Sequence, residues 1–257
     1  MPRFAVFAGA LRYEFAMQVR RKALWIGMLL LSLFVFRNLP NFYFAVSDVS
    51  VAHNSVILWT SFVANFFPVG AGLLIADRYT RDLRLRVDET LHTTPATRVG
   101  WLAGKYLGVV LATLLPIFLI QMLGAALIAV HGHDATAVAV GVGAFMATLL
   151  VSVLFVGAFS LACTTVLPPV LYQFLFVCYW FWGNFLNPRD GIPTLNGTPL
   201  TSDGRYILQG FFPVSSTGFR FGVPPGQALE SLALLLGCAA LALLAMWLWM
   251  RWQEDHV

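Results

Sequence analysis

From Ala135 to Pro188 the chain runs for 54 residues without an Asp, Glu, Lys or Arg. An apolar helix crosses ~30 Å of hydrocarbon in about 20 residues, at ~1.5 Å per residue, so this stretch predicts two crossings and a tight hairpin. The apolar pattern breaks at Cys163 to Pro169, where Thr164, Thr165, Pro168 and Pro169 stand together. Read the same way, the whole chain predicts six spans, at about 23–46, 55–76, 104–130, 137–163, 168–187 and 228–250. Pro68 and Gly70 interrupt the second and Pro116 lies inside the third. Arg37 and Pro40 stand in the outer half of the first, where a long side chain can reach water.

Ahead of these spans, Phe4, Phe7, Ala8, Leu11, Phe15 and Val19 recur at helical spacing, while Arg3, Arg12, Glu14 and Arg20 fall outside the stripe. Residues 4–21 therefore predict an amphipathic helix that lies in the membrane interface. A cleavable signal peptide fits less well, because Arg20, Arg21 and Lys22 stand deep in the chain and no small-residue cleavage site follows. Two segments remain between spans. Residues 77–103 are the most charged part of the chain. Residues 188–227 are rich in Gly, Pro, Ser and Thr yet hold Ile207, Leu208, Phe211, Phe212, Phe219 and Phe221, which predicts a partly re-entrant pair of short helices.

Composition agrees with a chain built for lipid. Hydrophobic residues make up 59% and charged residues 11%, with a mean hydropathy of +0.76, against roughly 25% charged residues in soluble domains. The fold class is all-α integral membrane protein, a single transmembrane domain over 1–257 with no room for a globular catalytic domain. A net charge of +4, scattered along the chain, provides no nucleic-acid surface. Its distribution is more telling: with alternating spans, 12 Lys and Arg fall on one side and four (Arg37, Arg189, Arg205, Arg220) on the other. The positive-inside rule then puts both termini and 77–103 in the cytoplasm, 188–227 outside, and the protein in the cell's inner membrane.

A search for bond-making chemistry yields no catalytic, cofactor-binding or metal-binding set. Val99-Gly100-Trp101-Leu102-Ala103-Gly104-Lys105-Tyr106 imitates a phosphate-binding loop but has Val and Tyr where Gly and Ser or Thr are required. His131, His133 and Asp134 read as a hydrated turn, since a metal site needs further ligands in fixed geometry. Ser160 has no His in any predicted span to activate it, and helix packing is its reading. Cys163, Cys178 and Cys238 sit inside apolar runs as small buried side chains. Asn65, Gln121, Gln173 and Asn184 stand at bilayer depth, where a polar group either bonds to a neighbouring helix or lines a path.

The order of elements, a basic starter helix, two spans, a charged cytoplasmic loop, three spans, a long outer loop and a last span, resembles the type 2 ATP-binding-cassette exporter permeases. The closest likeness runs from Arg81 to Lys105, with Glu89, Leu91, Thr94-Pro95, Arg98 and Gly104-Lys105 at the positions where that family carries an acidic residue, a Leu, a Thr-Pro-like turn, an Arg and a Gly-Lys. The resemblance implies a coupling helix that docks on separate nucleotide-binding ATPase subunits, which would hold the ATP and magnesium, and a second permease subunit. Arg84, Leu85, Arg86, Asp88, Glu89, Leu91, Thr94 and Pro95 are the expected coupling residues, their mixed charges and apolar anchors suiting a polar protein interface. In such permeases the first, second and fifth spans face the dimer axis, which makes Asn65, Phe66, Gln173, Phe176 and Tyr179 the expected translocation path. An ATPase-independent transporter or membrane-anchored assembly factor is the alternative, although an ion-coupled carrier would need charged groups at midplane.

Overall fold

A computed structural model describes residues 3–40, 49–78, 80–81, 98–186, 191–212, 214 and 222–255. Its elements are helices: α1 (Arg3–Val19), α2 (Lys22–Arg37), α3 (Val49–Ile75), α4 (Arg98–His131), α5 (Thr136–Cys163), α6 (Pro169–Asn184), α7 (Arg205–Phe211) and α8 (Pro225–Asp255). Among the described residues there is no strand.

Four of these are long and apolar enough to cross a membrane, over Ala52–Ile75, Val99–His131, Thr136–Cys163 and Pro225–Gln253. They match the expected second, third, fourth and sixth spans. The other two expectations correspond to shorter helices, and residues 41–46 of the first and 187 of the fifth lie outside the described residues. α2 and α6 have 16 residues each, ~24 Å of axial rise, against the ~30 Å that a full crossing takes. α2 gives way to a turn at Asn38, with Pro40 just beyond, and α6 is bounded by Pro168 before it and the turn after Asn184.

The hairpin between α5 and α6 closes where the Thr and Pro residues predict. Thr164 Oγ1 donates to the Ser160 carbonyl at 2.8 Å and Thr165 Oγ1 to the Ala162 carbonyl at 2.7 Å, so hydroxyls bond back to carbonyls of the last turn where the helix ends. Pro169 then starts α6 at a position that needs no N–H. α5 itself contains a π-helical turn, Phe145–Leu149, one residue wider than an α-turn and a common mark of a local packing demand.

The main core joins α2, α3, α4, α5 and α8. Trp59 of α3 is fully buried against α4 at Gly124, where a Cβ would have no room. One turn away, Gln121 Nε2 of α4 donates to Thr60 Oγ1 of α3 at 2.7 Å, which ties two long helices by a buried polar bond. α1 lies along α4 rather than apart from the bundle. A Cβ at Gly104 would come within 2.6 Å of the Phe7 carbonyl, and one at Gly108 within 2.7 Å of the Leu11 carbonyl. Gly100, Gly104 and Gly108 make a small-residue stripe that lets two helix backbones approach closely.

Of the expected outer pair of short helices, one is described, the seven-residue α7. Its Ile207, Leu208, Gln209 and Gly210 are buried, so this part of the loop is packed into the bundle.

Candidate functional site

The close approach of α1 to α4 decides the fate of Glu14. Its place outside the apolar stripe suggests a watery face, but the side chain is buried, because that flank of α1 presses on α4 and on the end of α3. There it meets two cations. Glu14 Oε2 lies 2.7 Å from Arg78 Nη2 and Oε1 lies 3.3 Å from Lys105 Nζ. Both cations are buried as well, Arg78 at 1% and Lys105 at 0% exposure. One carboxylate thus faces both cations, and Arg78 Nε and Nη1 have no hydrogen-bond partner among the described residues.

Nearby, Arg21 grips Asp77 through two bonds, Nη1 to Oδ1 at 2.8 Å and Nη2 to Oδ2 at 2.6 Å, and also donates to the Leu74 carbonyl at 3.1 Å. A forked guanidinium–carboxylate pair fixes orientation as well as distance. The α1–α2 junction is thus fastened to the end of α3. One turn deeper, Gln18 Nε2 reaches Thr113 Oγ1 of α4 at 3.5 Å.

Arg78 and Lys105 flank the charged segment expected to couple. The residues assigned that role, Arg84, Leu85, Arg86, Asp88, Glu89, Leu91, Thr94 and Pro95, lie outside the described residues. Both cations that bracket them converge on one residue of α1.

Of the five expected path residues, Asn65, Phe66, Gln173 and Phe176 lie on the contact between α3 and the α6 end of the hairpin, whereas Tyr179 faces α5. Gln173 Nε2 donates to the Leu73 carbonyl at 3.0 Å. Phe176 packs where Gly72 leaves room for its ring and stacks at 5.7 Å on Tyr172. Trp180 Nε1 donates to the Asn65 carbonyl at 2.8 Å. Phe66 joins an aromatic group with Phe34, Phe62 and Phe185 at 5.1 to 5.7 Å between centroids. Tyr179 and Phe176 line a cavity of about 340 Å³ beside α5.

Asn65 also belongs to a second polar group that the sequence pattern does not single out. Its Oδ1 accepts from Arg205 Nη2, and the same nitrogen lies 3.1 Å from Asp203 Oδ2. The loop before α7 is stitched to three further helices. Ser152 of α5 donates to the Ser202 carbonyl at 2.7 Å, the Asp203 N–H donates to Asn184 Oδ1 of α6 at 3.1 Å, and Ser231 of α8 donates to the Pro199 carbonyl at 2.6 Å. Gly204 closes the turn with φ of +72°, and a Cβ there would lie 2.7 Å from Thr148 of the π-helical turn. Burial pushes the Asp203 carboxyl above its ordinary value, opposed by Arg205. Away from this clasp, Asp134 caps the start of α5, accepting from the Thr136 N–H at 2.9 Å and its hydroxyl at 2.6 Å.

No protein-family model matches the chain, and no curated protein matches its sequence.

Proposed function

We propose that the chain is the membrane-embedded permease subunit of an ATP-driven exporter, working beside a second permease subunit and separate nucleotide-binding ATPase subunits, with six crossings in which α2 and α6 are the short ones. One observation carries the reading beyond the resemblance of the segment from Arg81 to Lys105. Arg78 before that segment and Lys105, its last residue, both end on Glu14 of α1. A push on the segment is therefore delivered to α1, α3 and α4 together, as transmission from an external motor requires.

The subunit performs no bond chemistry in this reading. Nucleotide binding by the partner ATPases moves the coupling segments and shifts the permease between two access states, a shift set by the difference in binding free energy between them. The α3–α6 contact supports the path assignment, since Gln173, Phe176 and Asn65 all lie along it, and Phe176 with Tyr179 also lines the 340 Å³ cavity beside α5. The stitched outer loop fits a closed outer gate. The charge distribution supports an inner-membrane protein with both termini in the cytoplasm.

Purification of the full chain from its host in mild detergent tests this. Copurification of an ATPase whose turnover persists while transport fails in a double charge reversal of Asp88 and Glu89 is the expected result. A pure, ATPase-free complex that still transports would overturn it and favour the carrier alternative.

A further inference from the structure

Where α4 begins and α8 ends, the two helices leave a wedge of about 310 Å³ lined by Val99, Leu102, Ala103, Leu243, Leu244 and Trp247. All six side chains are apolar, and both helices are among the four long enough to cross a bilayer, so hydrocarbon is the medium this hollow meets. A cation stands at its rim. The Arg251 guanidinium lies over the Trp247 ring, 5.7 Å from the centroid, one helical turn beyond the wall that Trp247 forms. Arg251 is exposed, and no carboxylate among the described residues pairs with it.

Apolar walls that end at an exposed guanidinium, with no carboxylate partner among the described residues, complement one kind of membrane component, an anionic amphiphile with its chain in the wedge and its charge at the rim. Trp247 links the halves, since its ring is both wall and cation–π support. We infer that the α4–α8 wedge is a binding site for an anionic phospholipid of the surrounding bilayer, one acyl chain lying against Trp247 and the headgroup phosphate meeting Arg251. This inference needs the membrane and not the transport cycle, so it stands whether or not an ATPase partner is found.

The test uses the full chain reconstituted into vesicles of phosphatidylcholine doped with dibrominated phosphatidylglycerol or, separately, dibrominated phosphatidylcholine. Bromine quenches indole fluorescence on contact, and subtracting the signal of Trp247→Phe isolates Trp247. Expected is a roughly fivefold stronger association of the phosphatidylglycerol at Trp247, the scale of one basic side chain at an anionic surface. Arg251→Gln should bring the two lipids level, and Arg251→Lys should keep the preference. Equal quenching by both lipids in the unmodified protein, no quenching of Trp247 at all, or a preference that survives Arg251→Gln would each overturn the assignment.

Discussion

Glu14 and Arg78 are 64 residues apart in sequence, yet their side chains meet at 2.7 Å with almost no exposure to solvent. A buried carboxylate that loses its charge strands its partners, and Arg78 already has two nitrogens without an acceptor among the described residues. Removing one member of a buried ion pair typically costs about 3 to 5 kcal/mol. Glu14→Gln should therefore lower the unfolding free energy in detergent by that order, while an exposed-site control such as Arg12→Gln barely moves it. An unfolding curve that superimposes on the unmodified protein would show that the cluster contributes little.

The seat of α1 on α4 predicts a steric result with a different signature. At Gly104 and Gly108 the obstacle to a side chain is the backbone of α1 itself, which cannot rotate away as a side-chain tip would. Gly108→Val should therefore lift α1, at about 1 to 3 kcal/mol for forced overpacking, and open it to proteolysis. Gly237→Ala, where a Cβ meets nothing within 4 Å, serves as the control. If limited proteolysis cuts both variants alike, the tight crossing is not what holds α1.

The long spans and the hairpin were legible because each depends on local pattern: apolar length for α3, α4, α5 and α8, and hydroxyls followed by Pro168 and Pro169 for the turn. Glu14 was not, because an acidic residue off the apolar stripe reads as solvated unless the partner helix is known. The spacing of Gly100, Gly104 and Gly108 held that clue, as it marks a face where another helix presses close. The clasp around Asp203 was less legible still. Its partners come from Ser152, Asn184 and Ser231 on three different helices, and no periodicity in one segment encodes their meeting. The lengths of α2 and α6 depend on turns, and apolar composition runs on past both of them.

Asp203 gives the outer loop a pH dependence whose sign follows from its burial. The carboxyl sits above its ordinary value of 3.8 when the loop is closed, burial being the main cause and Arg205 opposing it. An opened loop would hydrate the group and restore the ordinary value. The closed form thus holds a proton more tightly, so its stabilisation is complete below the ordinary value and is lost as pH rises through the raised one. A nitroxide at the exposed Leu200 should become more mobile over that rise, and Asp203→Asn should flatten the response. A label whose mobility ignores pH in the unmodified loop would sink this account.

Gly72 and Phe176 provide a test of the α3–α6 contact by compensation. A methyl at position 72 would run into the Phe176 ring and come within 2.8 Å of Val156 Cγ1, so Gly72→Ala must push α6 outward or twist the ring off its stack on Tyr172. Either response disturbs the neighbouring bond from Gln173 to the Leu73 carbonyl, which sits one residue further along α3. The single substitution should cost about 1 to 3 kcal/mol. Phe176→Leu removes the far edge of the ring and with it most of the collision, at the cost of some buried area. Because the two residues touch, their effects should not add: the double variant should be more stable than the sum of the singles by about 0.5 to 3 kcal/mol. Unfolding midpoints of the four proteins in one detergent measure this directly. Strict additivity would mean that the helices separate freely at this point, and the case for Gln173, Phe176 and Asn65 as one working face would then lose its structural basis.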